Sequence, residues 1–216
     1  MCFGCMSHGV SRCSAELGPV TCPHIFDMDG TLLRGSTASL ETSRVNRTVA
    51  ELTELERLFV SGALGPPGFA TRPPALWRGL TMAQVRQAYA RSPFLTGIAE
   101  VSPDFSATLL LGHGFDEVRA SAFPAPPFTA PVVAESILTP ADKVRLAEEV
   151  RLREGIALER CVAHGDSMSD VPLFRHFGTT VAVNSDRHLT EQADADYRGT
   201  SLPGACALGR MLLDAR

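Results

Sequence analysis

The chain has 216 residues, of which 44% are hydrophobic and 20% are charged, and its formal net charge is −4. This length allows one domain with a substantial core, alone or with a small accessory unit. The acidic balance excludes the basic face expected of a nucleic-acid binder, and no apolar run approaches the roughly 18 residues of a membrane span. An anionic ligand would therefore need a bound metal or a few fixed cations.

The first 20 residues show the pattern of neither a folded element nor a targeting signal. Four of the six cysteines lie within the first 22 residues, and the set Cys2, Cys5, His8 and Cys13 lacks the usual spacing of zinc ligands. The segment also lacks a basic start followed by a continuous apolar region, so it does not predict a signal peptide. We expect residues 1–20 to form a flexible N-terminal extension, with reduced cysteines and a cytoplasmic location for the protein.

The first half of the chain predicts one buried strand followed by helices. The apolar run "CPHIF" before Asp27 is typical of a short buried strand. Residues 38–60 have helical spacing, and a Gly/Pro-rich stretch after them indicates a loop. Thr81 is a suitable N-cap for the next helix, and residues 104–115 predict a helix that ends near Gly112.

The second half alternates strands with helices. "DEVRAS" predicts a short strand, and the stretch after it is Pro-rich and irregular. Thr139 caps a strong helix that has Pro140 in its first turn and ends at Gly155. The segments "CVAHG", "DVPLFRHFG", "TTVAVNS" and "HLTEQADADY" then predict a strand, a short helix, a strand and a helix. This alternation favours a parallel sheet covered on both faces.

These elements divide the chain into two units. We assign residues 21–35 and 94–216 to an α/β core domain, and residues 36–93 to a small helical cap inserted after the first strand. The predicted fold class is therefore α/β, with a Rossmann-like parallel sheet.

Pairs of aspartates follow two of the predicted strands. Asp27 and Asp29 follow the first strand, and Asp166 and Asp170 follow "CVAHG". Because ligands of open α/β sheets bind at the carboxyl ends of the strands, we expect the four carboxylates to converge. They could all be ionised only around a cation, and such oxygen ligands favour Mg²⁺. Taken separately, the first pair also fits an Asp-Gly turn, and Asp166 also fits a helix N-cap.

Four short motifs, in this order, resemble those of one known family. They are "DMDGT" at 27–31, "SPDF" at 102–105, Asp142-Lys143, and "HGDSMSDVPLF" at 164–174. With these motifs the chain resembles the haloacid dehalogenase-like (HAD) phosphohydrolases, specifically their phosphoserine-phosphatase-like branch. The resemblance covers about residues 23–185, and the first and fourth motifs together are its most specific part.

The resemblance implies a covalent route and a Mg²⁺ cofactor. Asp27 would attack phosphorus and form an aspartyl-phosphate, while Asp29 would act as general acid and then as general base. Mg²⁺ would be held by Asp27, the backbone carbonyl of Asp29 and Asp166, and Asp170 would orient the metal ligands.

The resemblance also implies three phosphate-binding residues, namely Thr31, Ser102 and Lys143. Ser102 would hydrogen-bond a phosphoryl oxygen, and Lys143 would stabilise charge in the transition state. Lys143 also fits a solvated position on an amphipathic helix, and Ser102 also fits the cap of the next helix. We interpret His164, two residues before Asp166, as a packed core histidine.

The segment before Ser102 is shorter than this architecture requires. Only ten residues separate Arg91 from Ser102, whereas a parallel crossover with its own helix needs at least about 10–12 residues before its strand is counted. Three explanations fit: the second cap helix serves as the crossover helix, the element is reduced, or the chain carries an internal deletion. Each affects Ser102 more than the aspartates or Lys143.

The sequence as a whole predicts a phosphatase. We expect Mg²⁺-dependent hydrolysis of a small phosphate monoester, such as a phospho-amino acid, a sugar phosphate or a cyclitol phosphate, because a helical cap would enclose the site. The alternatives are an impaired or non-catalytic protein that binds a ligand or partner, and a phosphomutase-type phosphoryl transferase. We expect neither a nucleic-acid nor a membrane partner, and the sequence does not indicate an oligomeric state.

Overall fold

The computed structural model describes residues 7–12, 23–98, 115 and 117–216. Within them the strands are β1 (Ser7–Arg12), β2 (Pro23–Asp27), β3 (Asp29–Gly30), β4 (Leu33–Arg34), β5 (Glu117–Ala120), β6 (Val162–Gly165), β7 (Thr179–Val183) and β8 (Ala195–Tyr197). The helices are α1 (Ala38–Asn46), α2 (Val49–Val60), α3 (Pro66–Thr71), α4 (Pro73–Leu76), α5 (Met82–Ala90), α6 (Pro140–Arg153), α7 (Val171–His176), α8 (Arg187–Thr190) and α9 (Leu202–Asp214). None of these helices is long and apolar enough to cross a membrane.

The central sheet confirms the predicted α/β fold. Its strand order is β5-β1-β2-β6-β7-β8, and the strands from β2 to β8 in this order run parallel. Side chains alternate between the two faces: Ile25 and Ala163 pack on the side of α6, whereas Phe26 and Val162 pack on the side of α9. Because both faces are covered, these strands appear in the sequence as nearly continuous apolar runs.

The N-terminal segment differs from the expectation. Ser7–Arg12 form strand β1, which pairs antiparallel with both β2 and β5, so the prediction that residues 1–20 lie outside the fold is wrong for this part. The edge of β2 that faces away from β6 presents backbone N–H and C=O groups that need partners, and β1 supplies them. The rest of the predicted extension lies outside the described residues.

The stretch that leads towards the second motif lies beside the start of α9. Thr96 N–H donates to the Thr200 carbonyl at 2.6 Å, and Leu202 N–H donates to the Thr96 carbonyl at 2.9 Å. On the side of β2 that faces away from β6, the neighbouring strand in the sheet is β1. Ser102 and most of the helix predicted after it lie outside the described residues, so their place in the fold stays a prediction.

Two predicted helices are interrupted. The helix predicted over 38–60 is divided into α1 and α2, because Arg47 adopts a left-handed conformation (φ 60°) and the Thr48 N–H turns back to the Ser43 carbonyl at 2.9 Å. The helix predicted over "HLTEQADADY" is short: α8 ends at Thr190, and β8 then pairs parallel with β7. Asp196 of β8 is exposed, as is common where a strand lies at the end of a sheet.

Trp77 joins two of the inserted helices to each other and joins the insert to the Pro-rich stretch before α6. Its indole Nε1 donates to Ser43 Oγ at 2.9 Å, and its ring meets that of Phe128 edge-on with centroids 5.5 Å apart. The Gly79 N–H also donates to the Pro127 carbonyl at 2.9 Å. The Pro-rich stretch that leads into α6 therefore packs directly against the inserted helices.

Candidate active site

Lys143 joins the two acidic strand ends inside the protein. Its ammonium donates to Asp27 Oδ1 at 2.8 Å, to Asp170 Oδ1 at 2.6 Å and to Ser169 Oγ at 3.1 Å. These contacts use all three N–H donors of the ammonium. Burial lowers the pKa of Lys143, but the charges of Asp170 and Asp27 more than offset this effect, so the pKa lies above its usual value.

Lys143 is also unusual in the composition of the chain. Of the 20 lysine and arginine residues, it is the only lysine. It is 1% exposed, whereas most of the arginines lie at least partly in solvent. A compact ammonium on a flexible stem can reach three converging oxygens in a way that a planar guanidinium cannot. The residue type therefore fits the site.

The start of helix α6 places Lys143. Thr139 Oγ1 accepts from the Asp142 N–H, and the Asp142 carboxylate accepts from the Thr139 N–H at 2.9 Å, so the predicted helix start at Thr139 is confirmed. These bonds from Thr139 hold the pKa of Asp142 below its usual value. A lysine in the first turn opposes the helix dipole, and its contacts with the buried carboxylates compensate for that position.

Gly30 and Thr31 bring the end of β2 against Asp166. Thr31 Oγ1 donates to Asp166 Oδ1 at 3.1 Å. Gly30 has a left-handed φ of 82°, and a Cβ at this position would lie 2.0 Å from Asp166 Oδ2. Because any side chain would collide with the carboxylate, the position requires glycine. The glycine after the two aspartates thus does more than complete an Asp-Gly turn.

Asp170 organises the second acidic strand end. Its Oδ2 accepts from the backbone N–H groups of Asp166 at 3.1 Å and Ser167 at 3.2 Å, and its Oδ1 accepts from Lys143. The carboxylate therefore fixes the loop that carries Asp166. This geometry supports the orienting role that the resemblance implies for Asp170.

Three carboxylates lie close enough to share a cation. One oxygen each of Asp27, Asp166 and Asp170 lies within 4.8 Å of the others. Burial raises the pKa of Asp27 to about 7 against the opposing charge of Lys143, and burial together with the charges of Asp27 and Asp170 raises the pKa of Asp166 to about 8. Lys143 alone thus does not neutralise the cluster. The all-oxygen donor set fits Mg²⁺.

Asp29 lies beside the three-carboxylate group and is not part of it. Its Oδ1 accepts from the Ala38 N–H at the start of α1 at 2.8 Å, and its Oδ2 is buried without a hydrogen-bond partner among the described residues. Burial raises the pKa of Asp29 well above its usual range, although the bond from Ala38 opposes the shift. The metal contact predicted for Asp29 is through its backbone carbonyl and stays a prediction.

Two hydrogen-bonding groups near the site could not be predicted from the sequence: Ser169, and the pair formed by His24 and His164. Ser169, between Asp166 and Asp170, accepts from Lys143 and shares a hydrogen bond of 3.0 Å with Ser167 Oγ. His164 is fully buried, which confirms its interpretation as a packed histidine. Its partner His24 lies 140 residues away, so no local pattern could reveal the pair.

Solved structures with a similar architecture are hydrolases. A HAD family hydrolase from Salmonella enterica serovar Typhi aligns with a TM-score of 0.67 at 19% identity, covering 80% of this chain and 65% of that chain. A phosphoserine phosphatase carrying an analogue of the phospho-aspartyl intermediate aligns with a TM-score of 0.60 at 20% identity, covering 85% of this chain and 96% of that chain. The chain has the HAD fold. At these identities the likeness establishes the HAD fold and leaves the activity open.

Relatives found by sequence agree with the HAD fold. A phosphoserine phosphatase from Mycobacterium tuberculosis is 41% identical over 66 residues, which are 31% of this chain and 21% of that protein. A phosphoserine phosphatase from Archaeoglobus fulgidus is 22% identical over 210 residues, which are 89% of this chain and 61% of that protein. The chain thus spans only part of the length of these relatives, and no family model matches it. Its resemblance is to the phosphoserine-phosphatase-like branch of the HAD hydrolases.

Proposed function

We propose that this chain is a Mg²⁺-dependent phosphatase that hydrolyses a small phosphate monoester through an aspartyl-phosphate on Asp27. The observation that carries the proposal is the contact of buried Lys143 with both Asp27 and Asp170, beside Asp166. Burying several charges together is costly for a fold, and ionisable groups with strongly shifted pKa values cluster at functional sites. The cluster therefore fits a site that takes up a cation and a phosphoryl group.

Asp27 is the proposed nucleophile. Lys143 holds its Oδ1 at 2.8 Å, so the carboxylate is oriented before substrate arrives. Attack on phosphorus forms a bond from the Asp27 carboxylate to phosphorus and breaks the bond from phosphorus to the ester oxygen of the substrate. Water then attacks the same phosphorus, phosphate leaves, and the carboxylate of Asp27 is restored.

Asp29 is the proposed proton donor and acceptor. Burial raises the pKa of Asp29 and so favours its protonated form, and the Ala38 N–H holds one of its oxygens in place. In the first step this proton goes to the ester oxygen that leaves as an alcohol. In the second step the ionised carboxylate takes a proton from the attacking water, so Asp29 returns to its starting state.

The metal and the phosphoryl group would be held by separate sets of side chains. Asp27 and Asp166 are the proposed side-chain ligands of Mg²⁺, together with the backbone carbonyl of Asp29, and Asp170 is proposed to orient them. When bound, the ion would neutralise the carboxylates against an anionic substrate. The groups proposed to bind the phosphoryl oxygens are Lys143, Thr31 and Ser102, the last on the strength of its motif alone.

A small substrate is proposed because the inserted helices pack close to β2. Trp77, Leu80 and Val85 from this insert share one hydrophobic cluster with Phe26 of β2, so the insert packs close to the strand that carries Asp27. Phospho-amino acids, sugar phosphates and cyclitol phosphates are the candidate classes. Phosphoserine is the first ester to test, since two of the similar proteins are named phosphoserine phosphatase. The division into core and cap and the cytoplasmic location stay predictions.

The proposal is tested by measuring phosphate release from a panel of monoesters, with Mg²⁺ and with a chelator. We expect release that depends on Mg²⁺, is abolished in Asp27→Asn, and is unchanged in Asp214→Asn, a matched change at an exposed position of α9. Binding of esters without turnover would favour the non-catalytic alternative. Conversion of an ester to its isomer without release of phosphate would favour the phosphomutase alternative.

A further inference from the structure

Two histidines are bonded to each other next to the acidic cluster. His24 lies three residues before Asp27 on β2, and His164 lies two residues before Asp166 on β6. His24 Nδ1 is 2.8 Å from His164 Nε2, and both side chains are fully buried. The His164 ring also stacks on Phe26 with centroids 4.2 Å apart. The proposed reaction uses neither ring.

The two histidines lie at opposite ends of the backbone ladder between β2 and β6, with His164 at the end nearer the site. The ladder begins with His24 opposite Val162 and ends with Phe26 opposite His164. The carboxylates that follow the two strands therefore lie beyond the last pair of the β2–β6 ladder. The side-chain bond between the two rings therefore crosses the ladder diagonally and adds a second connection between the two strands that carry these carboxylates.

Stability alone does not explain the pair. Burial lowers the pKa of His24 to about 4, with a contribution from Arg210, and burial lowers the pKa of His164 well below its usual range, so both rings are neutral. His164 Nδ1 is buried and has no hydrogen-bond partner among the described residues. Leaving a buried nitrogen unpaired costs more than one neutral hydrogen bond returns. Two apolar side chains could fill the same space without that loss.

We propose that His24 and His164 are positioning residues whose mutual hydrogen bond sets the distance between Asp27 and Asp166. The pair would act through these carboxylates on the affinity of the site for Mg²⁺ and on the rate of the reaction. The effect on rate rests on the proposed function, whereas the effect on Mg²⁺ binding needs no turnover. Groups that orient metal ligands typically change metal affinity or activity by about 10–100-fold when they are removed.

Isosteric double variants separate the bond from the packing. His24→Asn with His164→Gln keeps polar atoms near the positions of Nδ1 and Nε2, so a hydrogen bond between the strands can persist. His24→Leu with His164→Met has nearly the same shape as that polar variant but no side-chain hydrogen-bond donor, so the bond between the strands is lost. For both variants and the wild type, calorimetry measures the Mg²⁺ dissociation constant, and thermal unfolding measures stability. Steady-state kinetics with a hydrolysed ester give kcat and KM.

We expect the apolar variant to unfold at or above the wild-type temperature while it loses function. Its Mg²⁺ dissociation constant should rise by at least about 10-fold, and kcat should fall by a similar factor with little change in KM. The polar variant should recover most of the Mg²⁺ affinity and kcat. A role confined to packing would not distinguish two variants of the same shape in this way.

An apolar variant that keeps wild-type Mg²⁺ affinity and kcat would overturn the proposal. The proposal is also overturned if the apolar variant fails to fold while the polar variant is stable, because the bond would then serve the core. Wild-type protein that binds Mg²⁺ but hydrolyses no ester would contradict the proposed function, and the dissociation constants would still decide the role of the pair. Wild-type protein that binds no Mg²⁺ would overturn both.

Discussion

The cluster around Lys143 and the cluster around Trp77 both join distant segments of the chain, but with opposite chemistry. At Lys143 one ammonium lies among carboxylates, and burial raises the pKa of two of them to about 7 and about 8. At Trp77 an indole that is 2% exposed packs against Phe128, and Phe123 lies on the same side with ring centroids 6.3 Å away. The first cluster is expensive to bury, whereas the second gains free energy from burial.

This difference indicates that the Trp77 cluster stabilises the fold, whereas the Lys143 cluster serves the proposed chemistry. Removing a carboxylate from the Lys143 cluster relieves repulsion between buried charges, so function should suffer more than folding. Removing a ring from the Trp77 cluster leaves a cavity, so folding should suffer more than chemistry. The two clusters should therefore respond to substitution in opposite ways.

The largest expected effect is that of Asp27→Asn on activity. Loss of the nucleophile should reduce phosphate release by about 10⁴-fold or more, as is typical when a covalent catalytic residue is removed. The unfolding temperature should be unchanged or higher, because one buried negative charge is gone. A variant that unfolds well below the wild type would show that Asp27 serves the core, contrary to the comparison.

Phe128→Ala should have the reverse profile. Loss of a fully buried phenyl ring should lower the free energy of unfolding by about 3–5 kcal/mol, measured by denaturant titration. Phe123→Ala, at a half-buried position in the same stretch, is the matched control and should cost clearly less. Trp77 is the only tryptophan, so its fluorescence reports directly on this contact. Equal effects of the two substitutions would contradict the role assigned to Phe128.

Lys143 variants test whether charge alone is sufficient at the site. Lys143→Met should reduce kcat by about 10²–10³-fold, because a preorganised cation is lost. Lys143→Arg should recover little of it, since a planar guanidinium cannot meet the same three acceptors at 2.6–3.1 Å. Near-wild-type kcat in Lys143→Arg would show that the site needs a positive charge without this geometry.

A smaller effect is expected from pH in the metal-free protein. The usual pKa of an aspartate is 3.8, and those of Asp27 and Asp166 are raised to about 7 and about 8 in the fold. The stability that these protons contribute is present below pH 3.8 and is lost as the pH rises through the two folded values. Above pH 6.5 the buried rings of His24 and His164, whose pKa values burial lowers, are neutral in both the folded and the unfolded state, so they do not counteract the loss.

The unfolding temperature of chelator-treated protein should therefore fall between about pH 6.5 and about pH 9. Added Mg²⁺ should remove most of that fall, because the cation replaces the protons between the carboxylates. A matched series with Asp166→Asn should show a weaker dependence on pH. A flat profile for the metal-free wild type would mean that the carboxylates are already neutralised.

Local signals in the sequence predict much of this molecule. Strands β2 and β6 form at the apolar runs before Asp27 and Asp166, and helix α6 starts after its cap at Thr139, as expected. In each case the signal lies within or next to the element that it predicts. The position of Lys143 follows from the helix start together with the resemblance to a known family. These features need no knowledge of distant contacts.

The features that the sequence misses depend on long-range contacts or on a backbone conformation without its usual residue. Strand β1 forms because β2 offers it an edge, and the His24–His164 bond joins residues 140 positions apart. The break between α1 and α2 lies at Arg47, which adopts a left-handed conformation without the glycine that normally signals it. Ser102 lies outside the described residues, so its role stays a prediction.

The covalent role of Asp27 is tested most directly by trapping the phosphoenzyme. Protein mixed with an excess of a radiolabelled ester that it hydrolyses is quenched in acid during turnover, digested, and its labelled peptide sequenced by mass spectrometry. We expect a labelled phosphoryl group on Asp27 in the wild type and no label in Asp27→Asn. Rapid release of phosphate with no label on the protein, or with the label on another residue, would contradict the role of Asp27 as the nucleophile.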